Sequence, residues 1–466
     1  MRNLSLLIIV GLVLGLPLAA QTSYILTASP NNVQGVIDNH GLTVVKELFD
    51  GTNCVMLVTS PSANVAGVET EVESDLLVAS FEPEQRTTLP ELNGFTQPTL
   101  TQSSTSILDG LPGRTLVSFF GSTVPSNYTN QTAMSIIRLA DARTASKLTG
   151  TGVIAIIDTG ADPDHPALTG VLVPGYDFTR DTPGFSELAD LDPAVAAQLQ
   201  QSSTSILDAQ NTLQLNSSAM AILNQSSTSI LDQSSTSILD STLAEFGHGT
   251  MVAGVVHLIA PTAKIMPLKA FRADGSSNLS DIIRAIYYAT DHGANVISMS
   301  FSIGQPSPGL QAAVQYALSK NVVLVAASGN DGLKALVYPA SYNSVIGVGS
   351  STNTDLKSAF SNFGSGVVSF AAPGEGVVTT YPGGNYAAGW GTSFSAPMVA
   401  GAAALVLQAR PASKPGDILN GLSKTKQIND MGYGRIDLYQ SLMNNVVSGS
   451  STSVSGSSGS GTSTKL

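Results

Sequence analysis

Residues 153–166 read VIAIIDTGADPDHP. The apolar run at its start has no polar alternation, which describes a strand buried on both faces, the kind found in parallel sheets covered by helices. The run closes on Asp158, so a carboxylate stands at the carboxyl end of a strand, where open α/β sheets keep their ligand crevices. Outward from there the pattern alternates. SDIIRAIYYATDHGA (280–294) is an amphipathic helix with Ser280 as its expected N-cap, NVISMSFS (295–302) a strand, PGLQAAVQYALSKN (308–321) a helix and VVLVAASGN (322–330) a strand. The alternation predicts an α/β fold, a mostly parallel sheet with helices on both faces. SFSAPMVAGAAALVLQAR (393–410) is apolar nearly all round. It is short for a membrane span and full of Ala and Gly, so a helix inside the domain is expected, with Pro397 in its first turn, where a missing N–H costs little.

The bulk numbers bound the rest. The chain has 466 residues, 42% hydrophobic and 12% charged, with a net charge of −12. An acidic chain without a Lys/Arg block offers no footprint for nucleic acid or an anionic membrane. Cys54 is the only cysteine, so no intramolecular disulfide can form and the thiol reads as a small buried apolar group.

The N-terminus, MRNLSLLIIVGLVLGLPLAAQ, has a basic start, an apolar run and small residues at its end, which is the pattern of a secretory signal peptide over 1–20. Residues 21–85 read β-α-β-β-α-β, a ferredoxin-like α+β module with a hairpin signal at Asp50–Asn53. Residues 86–125 are rich in Pro, Thr, Ser and Gln and read as an exposed linker. The α/β domain is expected over 126–445, followed by a Ser/Gly-rich tail at 446–466. One octapeptide, QSSTSILD, stands at 102–109, at 201–208 and twice in tandem at 225–240. Five units, two of them degenerate, fill 201–240. An eight-residue period drifts by about 80° per unit on an α-helix, so no continuous apolar stripe forms, and one apolar pair per unit buries little surface.

Three segments carry groups suited to chemistry: VIAIIDTGADPDHP, FGHGTMVAG (246–254) and GTSFSAPMVAG (391–401). Each sets a polar residue where a strand or loop meets an apolar helix. Ser393 opens the apolar helix at the positive end of its macrodipole and is the candidate nucleophile. His248 would take its proton and return it to a leaving amine, and Asp158 would fix the imidazole tautomer. A tetrahedral oxyanion needs donors, for which the Ser393 N–H and the Asn330 side chain are the candidates.

Together the three segments resemble the signatures of the subtilisin-like serine peptidases: Asp-Thr-Gly with His-Pro downstream, G-H-G-T-x-V-A-G, and G-T-S-x-S-x-P-x-V-A-G. The likeness runs from about Tyr128 to Leu442. The chain order Asp, His, Ser and the oxyanion asparagine are documented for subtilisin itself, so their roles are carried over. The resemblance implies a secreted, broad-specificity endopeptidase acting through an acyl-enzyme, and a propeptide over 21–85 that folds, inhibits and is removed. Substrate would lie as a strand beside Ser300, Phe301 and Ser302, with Ala327, Ser328 and Gly329 walling a roomy pocket for a large apolar side chain before the scissile bond. Asp331 beside that pocket could also admit a basic one. The chemistry needs no cofactor. Structural calcium is common in such proteins, but its ligands are unknown here, and Asp162 and Asp164 read equally well as turn residues. The implied partners are protein or peptide substrates and the chain's own propeptide, with a monomer expected and no membrane contact after leader removal. Met398 and Ser302 depart from residues common in the family, His and Gly.

Two other readings stay open at this stage. Asp-Thr-Gly also resembles the retroviral type of aspartic peptidase, although no second such motif occurs and the His and Ser segments would be unexplained. A secreted binding protein on an inactive scaffold, with the octads as binding repeats, is the alternative from another class. The octads read as exposed passengers, or as self-substrates ending in a large apolar residue, with a maturation cut near Leu108.

Overall fold

The structure, a computed structural model, describes residues 22–62, 64–89, 115–191, 193, 219–222 and 245–451. The leader, every exact octad copy and the end of the tail lie outside the described residues. The chain divides into two compact units, Met1–Glu84 and Gln85–Leu466.

In the first unit the elements run β1 (Ser23–Ala28), α1 (Val33–Asn39), β2 (Thr43–Asp50), β3 (Cys54–Thr59), α2 (Val65–Glu73) and β4 (Val78–Pro83). The sheet order is β2-β3-β1-β4, antiparallel throughout. Strand β1 is central and buried from Tyr24 to Ala28, whereas Val44 and Val45 on the edge strand β2 stay exposed. Tyr24 stacks on Phe81 with ring centroids 4.6 Å apart. Cys54 is buried, and burial together with the Asp50 carboxylate that accepts its S–H pushes the thiol up to about 11, so it is not a nucleophile.

The second unit is built on a ten-stranded sheet. Its strands are β8 (Val153–Asp158), β9 (Tyr176–Asp177), β10 (Thr182–Pro183), β12 (Lys264–Lys269), β14 (Val296–Met299), β15 (Val323–Ala327), β16 (Val345–Ser351), β17 (Phe370–Pro373), β20 (Thr425–Lys426) and β21 (Arg435–Ile436). Their spatial order is β10-β9-β12-β8-β14-β15-β16-β17-β21-β20, parallel except for the outermost pair at each edge. Successive strand side chains point to opposite faces. Ile154 and Ile156 of β8 and Val323 and Val325 of β15 share one core with α4 (His248–Ile259) and α7 (Thr392–Ala409). Helices α5 (Leu279–Asp291) and α6 (Pro308–Ser319) pack on β8 and β15 with a separate set of buried residues, Ile282, Ile286, Leu310 and Val314 among them. The fold is thus the α/β architecture read from the sequence.

Helix α7 is long and apolar enough to cross a membrane by composition, but 83% of its apolar window is buried within the protein. Pro397 lies in its second turn, not the first. The nitrogen of residue 397 would normally donate to the carbonyl of residue 393, and proline has no proton to give. Ser300 Oγ fills that vacancy, donating to Ser393 O at 3.1 Å. The cap of α5 also differs from expectation: Asn278 is the N-cap and Ser280 sits buried inside the first turn.

The stretch 86–125 is not simply a linker. Arg86–Thr88 (β5) pairs antiparallel with Ser276–Asn278 (β13), and buried Leu89 donates its N–H to Gly275 O at 2.9 Å. Leu116–Phe119 (β6) and Ser122–Pro125 (β7) form a hairpin whose Phe119 joins the main core. Main-chain pairing is indifferent to the polar composition that marked this stretch as exposed. Within the octad array, Ala219–Ile222 of the third unit form β11, antiparallel to β19 (Asn385–Gly389), which pairs with β18 (Val377–Tyr381).

One buried group strains the core of this unit. His257, on α4, meets Phe119 edge-on at 5.2 Å, and neither ring nitrogen has a hydrogen-bond partner among the described residues. Burial, then the nearby charges of Arg143 and His165, pull its pKa down to about 4. The unfolded chain takes up this proton near 6.5 and the folded one near 4, so stability falls as pH drops from 6.5 to 4 and is unaffected above. His257→Leu should therefore raise stability at pH 4 by on the order of 3 kcal/mol over the parent, with this proton-linked advantage shrinking as pH rises from 4 and gone above 6.5. Urea unfolding at pH 4.5 and 7.5 measures this, and an identical acid dependence in both proteins would refute it.

Candidate active site

Strand β8 is buried on both faces and delivers Asp158 to the carboxyl edge of the sheet. Helix α4 begins beside it at His248, after Gly247. The close approach depends on Gly249, where a Cβ would stand 2.1 Å from Gly160 O. With that contact allowed, His248 Nδ1 meets Asp158 Oδ1 at 2.7 Å, both side chains fully buried. Asp158 Oδ1 also accepts the Thr159 N–H at 2.8 Å. Burial alone would pull the imidazole down. The Asp158 charge and hydrogen bond outweigh it, helped by Glu245 and Glu187, and hold the His248 pKa up at about 9. The imidazolium–carboxylate pair contributes stability in full below about 6.5 and loses it as pH rises through 9. The free base, the form able to accept a proton, grows over that same rise.

Helix α7 brings Ser393 to the same edge. Its Oγ donates to Ser300 O at 3.2 Å, while Ser300 Oγ donates to Ser393 O, so the two residues clasp each other where β14 ends. The hydroxyl rests on that carbonyl. The His248 ring stands 5.8 Å from the neighbouring Phe394 ring, centroid to centroid. Asn330 follows β15, and its Oδ1 accepts from Thr392 N at 2.9 Å and Thr392 Oγ1 at 2.8 Å, which turns the amide nitrogen the other way. At Gly391, φ is +140°, and a Cβ would stand 3.3 Å from Asn330 Nδ2 and 3.7 Å from Ser393 N. One small space is therefore flanked by two N–H donors.

Of the other residues singled out in the sequence, Ser300, Phe301, Ala327 and Ser328 are fully buried. The Phe301 ring packs on Phe271 at 5.3 Å, so only its main chain can meet a ligand. Gly329 has φ +91°, and its Cβ would stand 2.6 Å from Asn362 Nδ2 and 3.4 Å from Ser302 Oγ. Asn362 Nδ2 also donates to the Asp331 carboxylate at 3.0 Å. Asp162 spends one oxygen on Asp164 N at 3.0 Å and the other on Gly383 N at 2.8 Å, as a turn residue does. Among the described residues, no three or more His, Cys, Asp or Glu side chains gather in a group that could hold a metal ion.

Two buried groups escaped the sequence reading. Lys269 directs its three protons at Thr159 O, Phe271 O and the Asp190 carboxylate, at 2.7, 2.9 and 2.6 Å. Glu187, in a single 3₁₀ turn (Glu187–Asp190), touches both Thr159 and the start of α4. FSELAD (185–190) has no motif or period to single it out; only spatial closeness does.

A sequence profile of the subtilase family (Peptidase S8) matches residues 150–461. The chain belongs to the subtilase family. Among similar subtilases, the thermophilic serine proteinase of Bacillus sp. (strain AK1) is 34% identical over 294 residues, 62% of this chain and 61% of that protein. Thermitase of Thermoactinomyces vulgaris is 34% identical over 271 residues, 56% of this chain and 76% of thermitase. Subtilisin BL of Lederbergia lenta is 39% identical over 188 residues, 38% of this chain and 70% of that protein. The match thus spans less than two-thirds of the first of these. Fervidolysin of Fervidobacterium pennivorans, described as a keratinolytic enzyme related to subtilisin, matches in fold with a TM-score of 0.61 and 22% identity, over 91% of this chain and 61% of its own.

Proposed function

We propose that this subtilase is a secreted serine endopeptidase that cleaves peptide bonds through an acyl-enzyme on Ser393. His248 is the general base and then the acid, and Asp158 orients it and balances its charge. The Ser393 N–H and Asn330 Nδ2 receive the oxyanion in the space above Gly391. The observation that carries this reading is the buried 2.7 Å contact of His248 with Asp158 at the sheet edge where Ser393 arrives. The same contact counts against the aspartic-peptidase reading, which needs a second Asp-Thr-Gly facing Asp158.

Strand addition is the recognition mode we assign. It is favoured by the chain itself, since the edge of β13 already accepts Arg86–Thr88 as an antiparallel strand. A substrate would use that edge together with the main chain of Ser300–Ser302. The paired Arg86–Thr88 segment must leave first, which supports reading residues 21–85, just ahead of it, as an intramolecular inhibitory propeptide and the full chain as a precursor. Ala327, Ser328 and Gly329 give the pocket small walls, which suits a large apolar residue before the cut. The enzyme works as a monomer.

A fluorophosphonate should stop casein hydrolysis and label Ser393, as read by peptide mass spectrometry, while pepstatin leaves the rate unchanged. Label on another serine, or inhibition by pepstatin, would overturn the mechanism. A folded protein without hydrolysis would favour a binding role on the peptidase scaffold.

A further inference from the structure

The catalytic cycle proposed above leaves one buried carboxylate beside the site unused. Glu187 is 1% exposed. Its Oε1 accepts from Gly249 N at 3.1 Å and from Thr159 Oγ1, and its Oε2 accepts from Thr250 N at 3.2 Å and from Thr250 Oγ1. The two hydroxyls already accept backbone protons, Thr159 Oγ1 from Gly249 N and Thr250 Oγ1 from Asp162 N, each at 2.8 Å. Their own protons are therefore turned on the carboxylate. Burial raises the Glu187 pKa above the ordinary glutamate value, and the four donors that converge on its two oxygens work against that rise by favouring the ionised form.

The position of those donors gives the group its meaning. Gly249 and Thr250 follow His248 in the first turn of α4, where N–H groups lack helical partners and the macrodipole favours an anion. Thr159 follows Asp158 and donates its N–H to that side chain. One carboxylate thus holds the residue after the aspartate and the two residues after the histidine. We propose that Glu187 is a positioning residue for the Asp158–His248 pair, clamping the start of the histidine helix to the end of the aspartate strand. This rests on the triad reading.

Its charge acts as well. His248 faces Asp158 from β8, Glu245 ahead of α4 and Glu187 from the 3₁₀ turn, all negative. Lys269 of β12 is a positive group acting on Glu187, and it is held by Asp190, which Arg180 also pairs. Removing the Glu187 charge removes one of the three that favour the imidazolium, so the imidazole should lose its proton at lower pH.

The test uses the full chain and its matured form. Glu187→Gln sets an amide NH2 against one pair of donors, and kcat should fall about 10- to 100-fold with KM nearly unchanged, as expected for a small misplacement of reacting groups. The acid limb of kcat/KM should move to lower pH. Glu187→Asp keeps the charge but shortens the reach, so kcat should fall while the limb moves less; it carries the test if the glutamine variant does not fold. The imidazole is also read without turnover, by NMR titration of His248 in Ser393→Ala protein with and without Glu187→Gln. A lower midpoint with Gln supports the proposal. Unchanged kcat and an unchanged His248 midpoint, with or without a lower melting temperature, overturn it. Full activity in Ser393→Ala alone would defeat the triad reading instead, and the two failures are told apart because the titration needs no activity.

Discussion

Ser393→Ala is expected to lower kcat on casein and on peptides by about a millionfold, a figure measured for the nucleophile of subtilisin and carried over from that relative. The physical reason for so large an effect is that the two hydroxyls next to Ser393 among the described residues are already committed. Ser300 Oγ is spent on the Ser393 carbonyl and Thr392 Oγ1 on Asn330, so neither neighbouring hydroxyl stands free to replace it. The fold should be untouched. Among the described residues, the hydrogen bond lost is the 3.2 Å contact with Ser300 O, worth about 1 kcal/mol, and alanine is a better helix former than serine. Circular dichroism and melting should therefore match the parent while hydrolysis vanishes. If the precursor matures by its own activity, the variant should also accumulate uncut. Activity within tenfold of the parent would mean that the nucleophile lies elsewhere.

The second large effect is expected at Gly391. A φ of +140° is nearly closed to any residue with a side chain, and forcing one there costs about 1–3 kcal/mol of strain. The greater harm is chemical. The alanine methyl would sit in the space flanked by Asn330 Nδ2 and Ser393 N, where the oxyanion must form. Gly391→Ala should cost at least the factor of about 10²–10³ known for losing one oxyanion donor in subtilisin. KM should change little if the methyl meets only the transition state. Steady-state kinetics on a peptide ester read both terms, and a kcat within fivefold of the parent would show that the oxyanion forms in another place.

The β8 run was legible because burial on both faces leaves an apolar block that nothing else in the chain imitates, and α5 because its apolar residues recur at helical spacing. The Asp158 and His248 motifs could be joined from sequence because each sets a polar residue where a strand or loop meets an apolar helix, in the order of the subtilisin-like signatures. Glu187 could not be read, because a carboxylate that caps a helix from a distant turn leaves no period and no fixed spacing. Strand β5 was missed for a related reason: its bonds are made by main chain, to which Thr and Arg are indifferent. Ser280, expected as the N-cap of α5, sits two residues inside the helix because Asn278 takes the cap position. Pro397 was set in the first turn, and its effect there would have been nil; one turn later, it decides where a carbonyl points.

That displaced proline ties the nucleophile to the sheet. The Ser393 main chain and hydroxyl both answer to Ser300, the residue just after β14, so the Ser393 oxygen inherits its coordinates from the strand as well as from the helix. Substitutions among Met299, Phe301 and Phe271, made to firm up the interior, would reach the reaction rate by this route without disturbing the imidazole. Attempts to harden this protein against heat through that part of the core should thus be screened for turnover first and melting second.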